Sequence, residues 1–317
     1  MLRLKKLLFF QLFALSIFVA KSQQIEVGML LGASNYMGDL SNESFLLKES
    51  HFAAALFGRY NFTPRFALNG FIGYGRVSGD DKNFITVKRK YKDMPDYEFN
   101  KYRNLNFYSD IYEFSIHAEY NLLPNNLKYY TTRPFLPYVF IGLGMFNFNP
   151  KTKFLGKTVE LQPLGTEGQG STTYNDIKKY PLTTICLPLG LGFRQKIGDD
   201  FFIGIEAGIR FTNTNYLDDV GGKYADRSVI GGATGRAGLL LSDRTWELTP
   251  GADPYTEFPL KDLNWTPYID KDGVAHGFTE GDKRSDRHFN KNDMYFMAGI
   301  TISYVLRFRG QGCPSIN

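Results

Sequence analysis

Apolar and polar residues alternate along Ile111–Asn121 with the period of two that a β-strand requires. One face is polar throughout, and the other is apolar and aromatic, formed by Tyr112, Phe114, Ile116, Ala118 and Tyr120. An apolar face with tyrosine at both ends is typical of a strand that crosses a bilayer, because amphipathic rings favour the two headgroup levels. About ten residues suffice for a tilted strand to span the hydrocarbon. This segment therefore predicts a transmembrane β-strand.

The same two-faced pattern predicts seven further strands, at Gln24–Gly32, Phe52–Asn61, Phe66–Arg76, Tyr138–Phe148, Leu182–Lys196, Phe201–Thr212 and Met294–Phe308. Short connections alternate strictly with long ones, which lie at about 33–51, 77–104, 149–180 and 213–292. In an up-and-down outer-membrane barrel, every second connection faces the periplasm and stays short. The predicted fold is all-β: an eight-stranded antiparallel up-and-down transmembrane β-barrel with long extracellular loops.

The polar strand faces distinguish this barrel from a soluble barrel of the lipocalin type, which is the main alternative. A soluble barrel would carry many Lys, Asp and Thr residues outside, whereas this polar face is largely glycine with isolated charges of both signs. Buried charges need partners, and eight strands enclose a space that their own side chains can fill. We expect no conducting pore but a lumenal polar network, formed by Glu26, Arg59, Glu113, Ser115, His117, Glu119, Arg194, Glu206 and Arg210.

The N-terminus carries an export pattern. Basic residues precede the apolar run 7–20, and Ala20-Lys21-Ser22 has the small residues of a signal-peptidase site. This predicts a signal peptide at 1–22 and one outer-membrane β-barrel domain at 23–317. A membrane anchor is the alternative, but the run is shorter than the roughly 18 residues that a spanning helix needs.

Composition narrows the function. The chain has 28 Phe and 20 Tyr among 317 residues and a net charge of +5. Its basic residues are scattered, so no nucleic-acid partner is expected. Two cysteines exclude a disulfide-rich scaffold and a four-ligand zinc site, and neither a metal nor a cofactor is predicted. Cys186 and Cys313 fall at opposite ends of the predicted barrel, which predicts no disulfide between them.

Ser115, His117 and Glu119 share one strand face and raise the alternative of a lipid-modifying enzyme. Same-face neighbours on a strand sit roughly 6 to 7 Å apart, which we take as too far for a direct serine–histidine hydrogen bond. The predicted lumen also gives a lipid no route to these groups. A lumenal polar ladder is favoured over catalysis.

Two of the predicted extracellular loops have their own signals. The segment Lys82–Asn104 interleaves basic and acidic residues, which favours a solvated loop over contact with lipopolysaccharide phosphates. Loop four contains Trp246 and Trp265 and is long for a structureless connection. A loop of that length usually has local structure or a binding role.

Three segments together resemble the PorG-like outer-membrane barrels of the type IX secretion apparatus. They are Gly32–Leu40 after strand one, Thr214–Tyr224 after strand seven, and Asn292–Tyr295 at the start of strand eight. The motif residues are Asn35, Tyr36, Gly38, Asp39, Tyr216, Asp218, Asp219 and Tyr224. The resemblance covers essentially the whole mature chain.

This resemblance implies a non-enzymatic protein of the outer membrane, surrounded by lipid and lipopolysaccharide. It also implies contact with the periplasmic ring of the secretion machine, which is built by a lipoprotein and its partner. Short periplasmic turns offer little area, so a partner surface is expected on the connection 122–134 and the basic tail, at Tyr129, Tyr130, Arg307, Arg309 and Cys313. An adhesin-like surface protein remains an alternative.

The motif residues need no active site. Asn35 and Gly38 suit left-handed backbone conformations, Asp39 suits a turn cap, and Tyr36 suits packing over a barrel end. Asp218 and Asp219 either bind a cation or cap backbone groups, and capping is favoured.

Overall fold

Eight antiparallel strands form a closed barrel. In this computed structural model they are β1 Gln24–Met37, β2 His51–Asn61, β3 Phe66–Asp80, β4 Asn106–Asn121, β5 Phe135–Asn147, β6 Thr183–Ile197, β7 Phe201–Thr212 and β8 Met294–Leu306. Each strand pairs with the next in the chain, and β8 pairs with β1. The up-and-down barrel prediction is confirmed. The structure describes residues 24–41, 47–83, 90–91, 94–124, 135–198, 200–248, 268–269, 275–276, 278–285 and 292–306.

The strands extend further on the extracellular side than the alternation predicts. β1 continues past Gly32 to Met37, β3 continues past Arg76 to Asp80, and β4 begins at Asn106. Long connections cover both faces of β1 and β3 at these ends, so the alternation of apolar and polar residues does not match burial there. Asn35 and Tyr36, expected in a loop, therefore lie on β1.

The outer face forms an apolar belt. Large side chains between 47% and 66% exposed come from every strand: Leu31, Leu56, Ile72, Ile116, Leu143, Leu191, Ile205 and Ile300. Aromatic pairs border the belt, with Tyr74 against Tyr112 above and Phe66 against Tyr120 below. A continuous apolar surface of this extent is unstable in water and matches the hydrocarbon of a bilayer. The strands therefore span the membrane.

Side chains close both ends of the barrel. Leu136, Phe202 and Val305 form an apolar cluster at the end with short turns, which is the periplasmic end. At the other end a larger buried cluster includes Tyr36, Phe107, Phe148, Leu217 and Tyr295. This cluster belongs to a folded extracellular cap.

The cap is built from the long connections. It contains helix α1 (Asp96–Arg103), helix α2 (Arg227–Ser242) and a hairpin of strands Lys151–Phe154 and Lys157–Glu160. α2 is kinked at Gly235, where φ is 67°. Short 3-10 helices lie at Leu47–Glu49, Asp81–Asn83, Gln162–Leu164 and Thr245–Leu248, and two-residue strands lie at Lys90–Tyr91, Met94–Pro95, Tyr268–Ile269 and Ala275–His276. Among the described residues, no helix has the length and apolarity to cross a membrane.

Candidate functional site

An ion-pair network fills the lower lumen around Arg59. Its Nε lies 2.5 Å from Glu119 Oε2 and its Nη1 lies 2.6 Å from Glu26 Oε1. Asn69 Nδ2 donates to Glu119 Oε1 at 2.7 Å, and Arg194 Nη1 donates to Glu26 Oε2 at 3.3 Å. All five side chains are at most 2% exposed. Each buried charge in this group faces an opposite charge, as burial in a membrane barrel requires.

A second network occupies the upper lumen. Arg210 Nε and Tyr295 Oη both donate to Glu113 Oε2 at 3.0 Å, and Ser115 Oγ donates to Glu113 Oε1 at 2.6 Å. His117 Nε2 lies 2.8 Å from Ser115 Oγ. Our expectation that these two residues are too far apart for a direct hydrogen bond was wrong. The inner face of a small barrel is concave, so side chains two residues apart lean toward each other.

This arrangement does not suit a nucleophilic serine. A serine nucleophile gives its proton to a histidine, whose other ring nitrogen is held by a carboxylate. Here the single hydroxyl proton of Ser115 points to Glu113, so His117 Nε2 is a donor and cannot act as the base. Glu119 pairs with Arg59 instead of His117. The geometry is that of a structural hydrogen-bond chain.

Aromatic rings fill the remaining lumen. The His117 ring lies between Phe140, at 4.9 Å between centroids, and Phe71, at 5.2 Å. Gly190 and Gly208 face each other on β6 and β7, and a Cβ on either would meet Phe140 Cζ at 2.4 or 2.7 Å. Glycine is therefore required for this ring to fit. Glu206, the last of the predicted lumenal residues, accepts from Tyr138 Oη at 2.7 Å.

Residues from all three motif segments meet in the cap around one tyrosine hydroxyl. Tyr36 Oη lies 2.6 Å from Asp218 Oδ2 and 3.2 Å from Asp293 Oδ1. The backbone N–H of Val220 donates to Asp218 Oδ1 at 2.9 Å, which is a turn cap. A Cβ on Gly38 would overlap the Tyr36 hydroxyl, so glycine is needed for close approach rather than for a left-handed conformation.

Three buried carboxylates converge here, from Asp39, Asp218 and Asp293. One oxygen of each lies within 4.8 Å of the others. Burial and the two neighbouring aspartates raise the pKa of Asp218 well above its usual value, which favours a shared proton in the cluster. A hard divalent cation also prefers carboxylate oxygens, so a cation would fit here rather than between Asp218 and Asp219.

Asp219 belongs to a separate network with Arg284. Arg284 Nη2 lies 3.7 Å from Asp219 Oδ2, and its Nη1 lies 3.2 Å from Glu167 Oε1. Tyr180 Oη donates to Asp219 Oδ1 at 2.6 Å. Burial raises the pKa of Glu167 to about 7, although Arg284 opposes the shift. The other motif tyrosines pack nearby: Tyr216 stacks on Tyr180 and Tyr224 on Phe278.

Arg103 joins three parts of the cap. Its Nη2 donates to Asp81 Oδ1 at 2.6 Å and to the Asp39 carbonyl at 2.9 Å, and its Nη1 donates to the Arg284 carbonyl. Our interpretation of Lys82–Asn104 as a solvated loop was wrong here, because Arg103 is fully buried and α1 packs into the cap. Sequence reasoning missed Arg103, Arg284 and Glu167, since buried and solvated charges look alike in loops without periodicity.

The predicted periplasmic residues Tyr129, Tyr130, Arg307, Arg309 and Cys313 lie outside the described residues, as does the predicted signal 1–22. The disulfide prediction is therefore untested, and Cys186 is a buried free cysteine. Its Sγ lies 3.9 Å from Tyr295 Oη.

A closed eight-stranded barrel with an apolar outer belt, aromatic borders and a filled polar lumen defines the protein as an outer-membrane β-barrel. The chain belongs to the family described as Domain of unknown function (DUF6089), whose model matches residues 5–231. A search of curated proteins found no match.

Three solved structures are similar to this chain at low sequence identity. A major outer membrane protein from Thermus thermophilus is 11% identical, with 90% of this chain and 100% of that chain covered and a TM-score of 0.36. The N-terminal β-barrel domain of Pseudomonas aeruginosa OprF is 9% identical, with 90% and 100% covered and a TM-score of 0.32. Ail, the attachment invasion locus protein of Yersinia pestis, is 12% identical, with 60% and 88% covered and a TM-score of 0.30. The assignment of this chain to the outer membrane is based on its own apolar belt and not on these similarities.

Proposed function

We propose that this barrel is a non-enzymatic assembly component of a type IX-like secretion apparatus and contacts periplasmic ring proteins. The observation that carries the proposal is the closure of the barrel at both ends. A filled lumen conducts nothing, and Ser115 and His117 are at most 1% exposed. The molecule therefore acts through its extracellular and periplasmic surfaces and not through its lumen.

The sequence motifs indicate which end of the barrel contacts the partner. The PorG-like segments of β1, of the connection after β7 and of β8 meet at Tyr36, Asp218 and Asp293. These segments are far apart in the chain, so their meeting gives the motif a structural purpose: it holds the cap on the barrel. That leaves the periplasmic side for a partner.

The described part of the periplasmic face is compatible with a docking role. Phe62 and Leu122 are 44% and 48% exposed beside the short turns. Arg65 Nη1 donates to the Leu122 carbonyl at 3.1 Å and so links two neighbouring turns. This rigid edge borders the connection 122–134, where the aromatic anchors Tyr129 and Tyr130 are expected.

A pull-down from detergent-solubilised outer membranes tests the proposal. Tyr129, Tyr130, Arg307 and Arg309 are replaced together by Ala, Ala, Gln and Gln, and barrel insertion is checked by heat-dependent gel mobility. We expect loss of periplasmic ring proteins from the captured material and loss of export. The control variant Lys157→Gln with Lys178→Gln, on exposed cap lysines, keeps both.

Retained partners with the periplasmic variant would refute the proposed docking surface. Lost export after trimming of loop four alone would move the working surface outside the cell. Loop-dependent binding to other cells, without captured periplasmic proteins, would favour the adhesin-like alternative.

A further inference from the structure

A charged, outward-facing surface lies directly above the aromatic border on one side of the barrel. Tyr74 and Tyr112 form the border pair, with 5.4 Å between ring centroids. The next outward pair on β3 and β4 is Arg76 and Asp110, whose Nε and Oδ1 lie 2.7 Å apart. The Arg76 guanidinium lies 5.4 Å from the Tyr108 ring centroid. Border aromatics mark the headgroup level, so these groups stand beside lipid headgroups.

The hairpin of the cap extends the same surface upward. Lys151 pairs with Tyr108 of β4, and Tyr108 Oη lies 3.0 Å from Thr158 Oγ1. By the alternation of a strand, Lys151 and Lys153 share this face, while Thr152 and Phe154 point to the cap interior. We call Arg76, Tyr108, Lys151 and Lys153 the rim surface.

The rim surface keeps positive charge available. Among the described residues, its ion-pair partners are Asp110 beside Arg76 and Glu160, whose Oε1 lies 3.7 Å from Lys151 Nζ. A third carboxylate, Glu49, is buried and hydrogen-bonded to Ser78, two residues from Arg76 on β3. Two of the three cations therefore have an ion-pair partner, and Lys153 has none among the described residues. The Arg76 side chain is 43% exposed and uses only Nε for Asp110, so within the described residues its two Nη nitrogens make no hydrogen bond. Lys153 is exposed, and its ammonium group forms no hydrogen bond or ion pair with the described residues.

We propose that the rim surface binds the phosphate of an outer-leaflet glycolipid headgroup. Guanidinium and ammonium groups are the usual phosphate ligands, and the surface is continuous with the lipid-facing belt. The outward residues at the upper ends of the other strands include Phe52, Asn147, Thr183 and Phe211, which are uncharged. The phosphate site therefore occupies one side of the barrel. The inference requires the outer-membrane barrel but not the secretion role.

The test compares lipid retention by the full-length mature barrel in phosphatidylcholine nanodiscs with a minor fraction of bisphosphorylated lipid A. The variant Arg76→Gln/Lys151→Gln/Lys153→Gln is matched in charge by Lys157→Gln/Lys178→Gln/Lys223→Gln, on exposed cap lysines outside the rim surface. Lipid A that stays bound after detergent extraction is quantified by mass spectrometry. Each basic residue near an anionic surface changes affinity about fivefold, so the three substitutions predict a loss of about a hundredfold in the rim variant alone.

Two further variants sharpen the result. Glu160→Gln removes an opposing charge and should raise retention. Lys153→Gln removes no hydrogen bond or ion pair among the described residues, so it should fold normally and lower retention even if the triple variant fails to fold. Equal retention in the rim and control variants would overturn the proposal. If the rim and control variants retain dephosphorylated lipid A equally, the site recognises the phosphate. If inorganic phosphate displaces lipid A as well as free lipid A does, the surface is a general anion site and lipid binding is refuted.

Discussion

Removal of Arg59 should strongly destabilise the barrel. Arg59 contacts Glu119 at 2.5 and 3.2 Å and Glu26 at 2.6 Å, and all three side chains are buried. Arg59→Gln leaves two carboxylates facing each other with one fewer counter-charge. Glutamine preserves much of the side-chain length, so the effect measures charge more than cavity volume.

The expected loss of unfolding free energy depends on the partners that Glu26 and Glu119 each retain in Arg59→Gln. Glu26 retains Arg194 at 3.3 Å and the Ser303 hydroxyl at 2.5 Å. Among the described residues, Glu119 retains one hydrogen bond, from the neutral amide of Asn69 at 2.7 Å, and no ion pair at contact distance. Loss of one partner from a buried ion pair costs about 3 to 5 kcal/mol. We expect a loss in this range, most of it from Glu119.

Urea titration of the barrel in lipid vesicles, followed by heat-dependent gel mobility, measures the free energy of unfolding. Arg65→Gln, on an exposed arginine of a periplasmic turn, is the matched control; it loses exposed hydrogen bonds to Tyr120 and Leu122 and should cost no more than about 1 kcal/mol. Glu119→Gln in the Arg59→Gln background should restore part of the stability. If Arg59→Gln costs no more than Arg65→Gln, the lumen is not a low-dielectric interior and the argument fails.

Two other perturbations probe the belt and the cap. Ile116→Arg, near the bilayer midplane, should cost about 2 to 4 kcal/mol of unfolding free energy in the same titration. The control Ile177→Arg, in the cap, should be nearly neutral. Equal costs would mean that Ile116 does not face the lipid. Burial first, and then the neighbouring Asp293 and Asp39, raise the pKa of Asp218 in the folded cap. The protonated carboxyl therefore stabilises the cap fully below about pH 4, which is the pKa in the unfolded chain. This contribution is lost as pH rises through the raised pKa. Asp218→Asn stays neutral, so protease cleavage of the cap should depend less on pH than in the wild type, and an unchanged pH profile would contradict this.

Periodicity predicted the strands well where a strand has lipid on one face and lumen on the other. The bounds of β7, Phe201–Thr212, agree with the prediction to the residue. The prediction stopped early on β1 and β3 because the cap covers both faces there. Tyr36 and Val77 are fully buried although neither belongs to an alternating apolar face.

The cap was beyond sequence reasoning for a different reason. Its stability depends on buried charges such as Arg103, Arg284 and Asp219, which come from connections far apart in the chain. In a single sequence these residues have the composition of a solvated loop. Pairings such as that of Arg284 with Glu167, 117 positions earlier, show that they are interior.

A lumen filled with ion pairs has a purpose beyond stability. If the lumen were apolar, both faces of every strand would be apolar, and a slip of one residue in the pairing register would carry little penalty. With Arg59 paired to Glu26 across β1 and β2, such a slip would place a guanidinium in the lipid and leave two carboxylates without it. Buried charge is costly in a folded interior, yet it is more costly in hydrocarbon. The network therefore specifies which face of each strand turns inward, and the apolar belt follows from that choice.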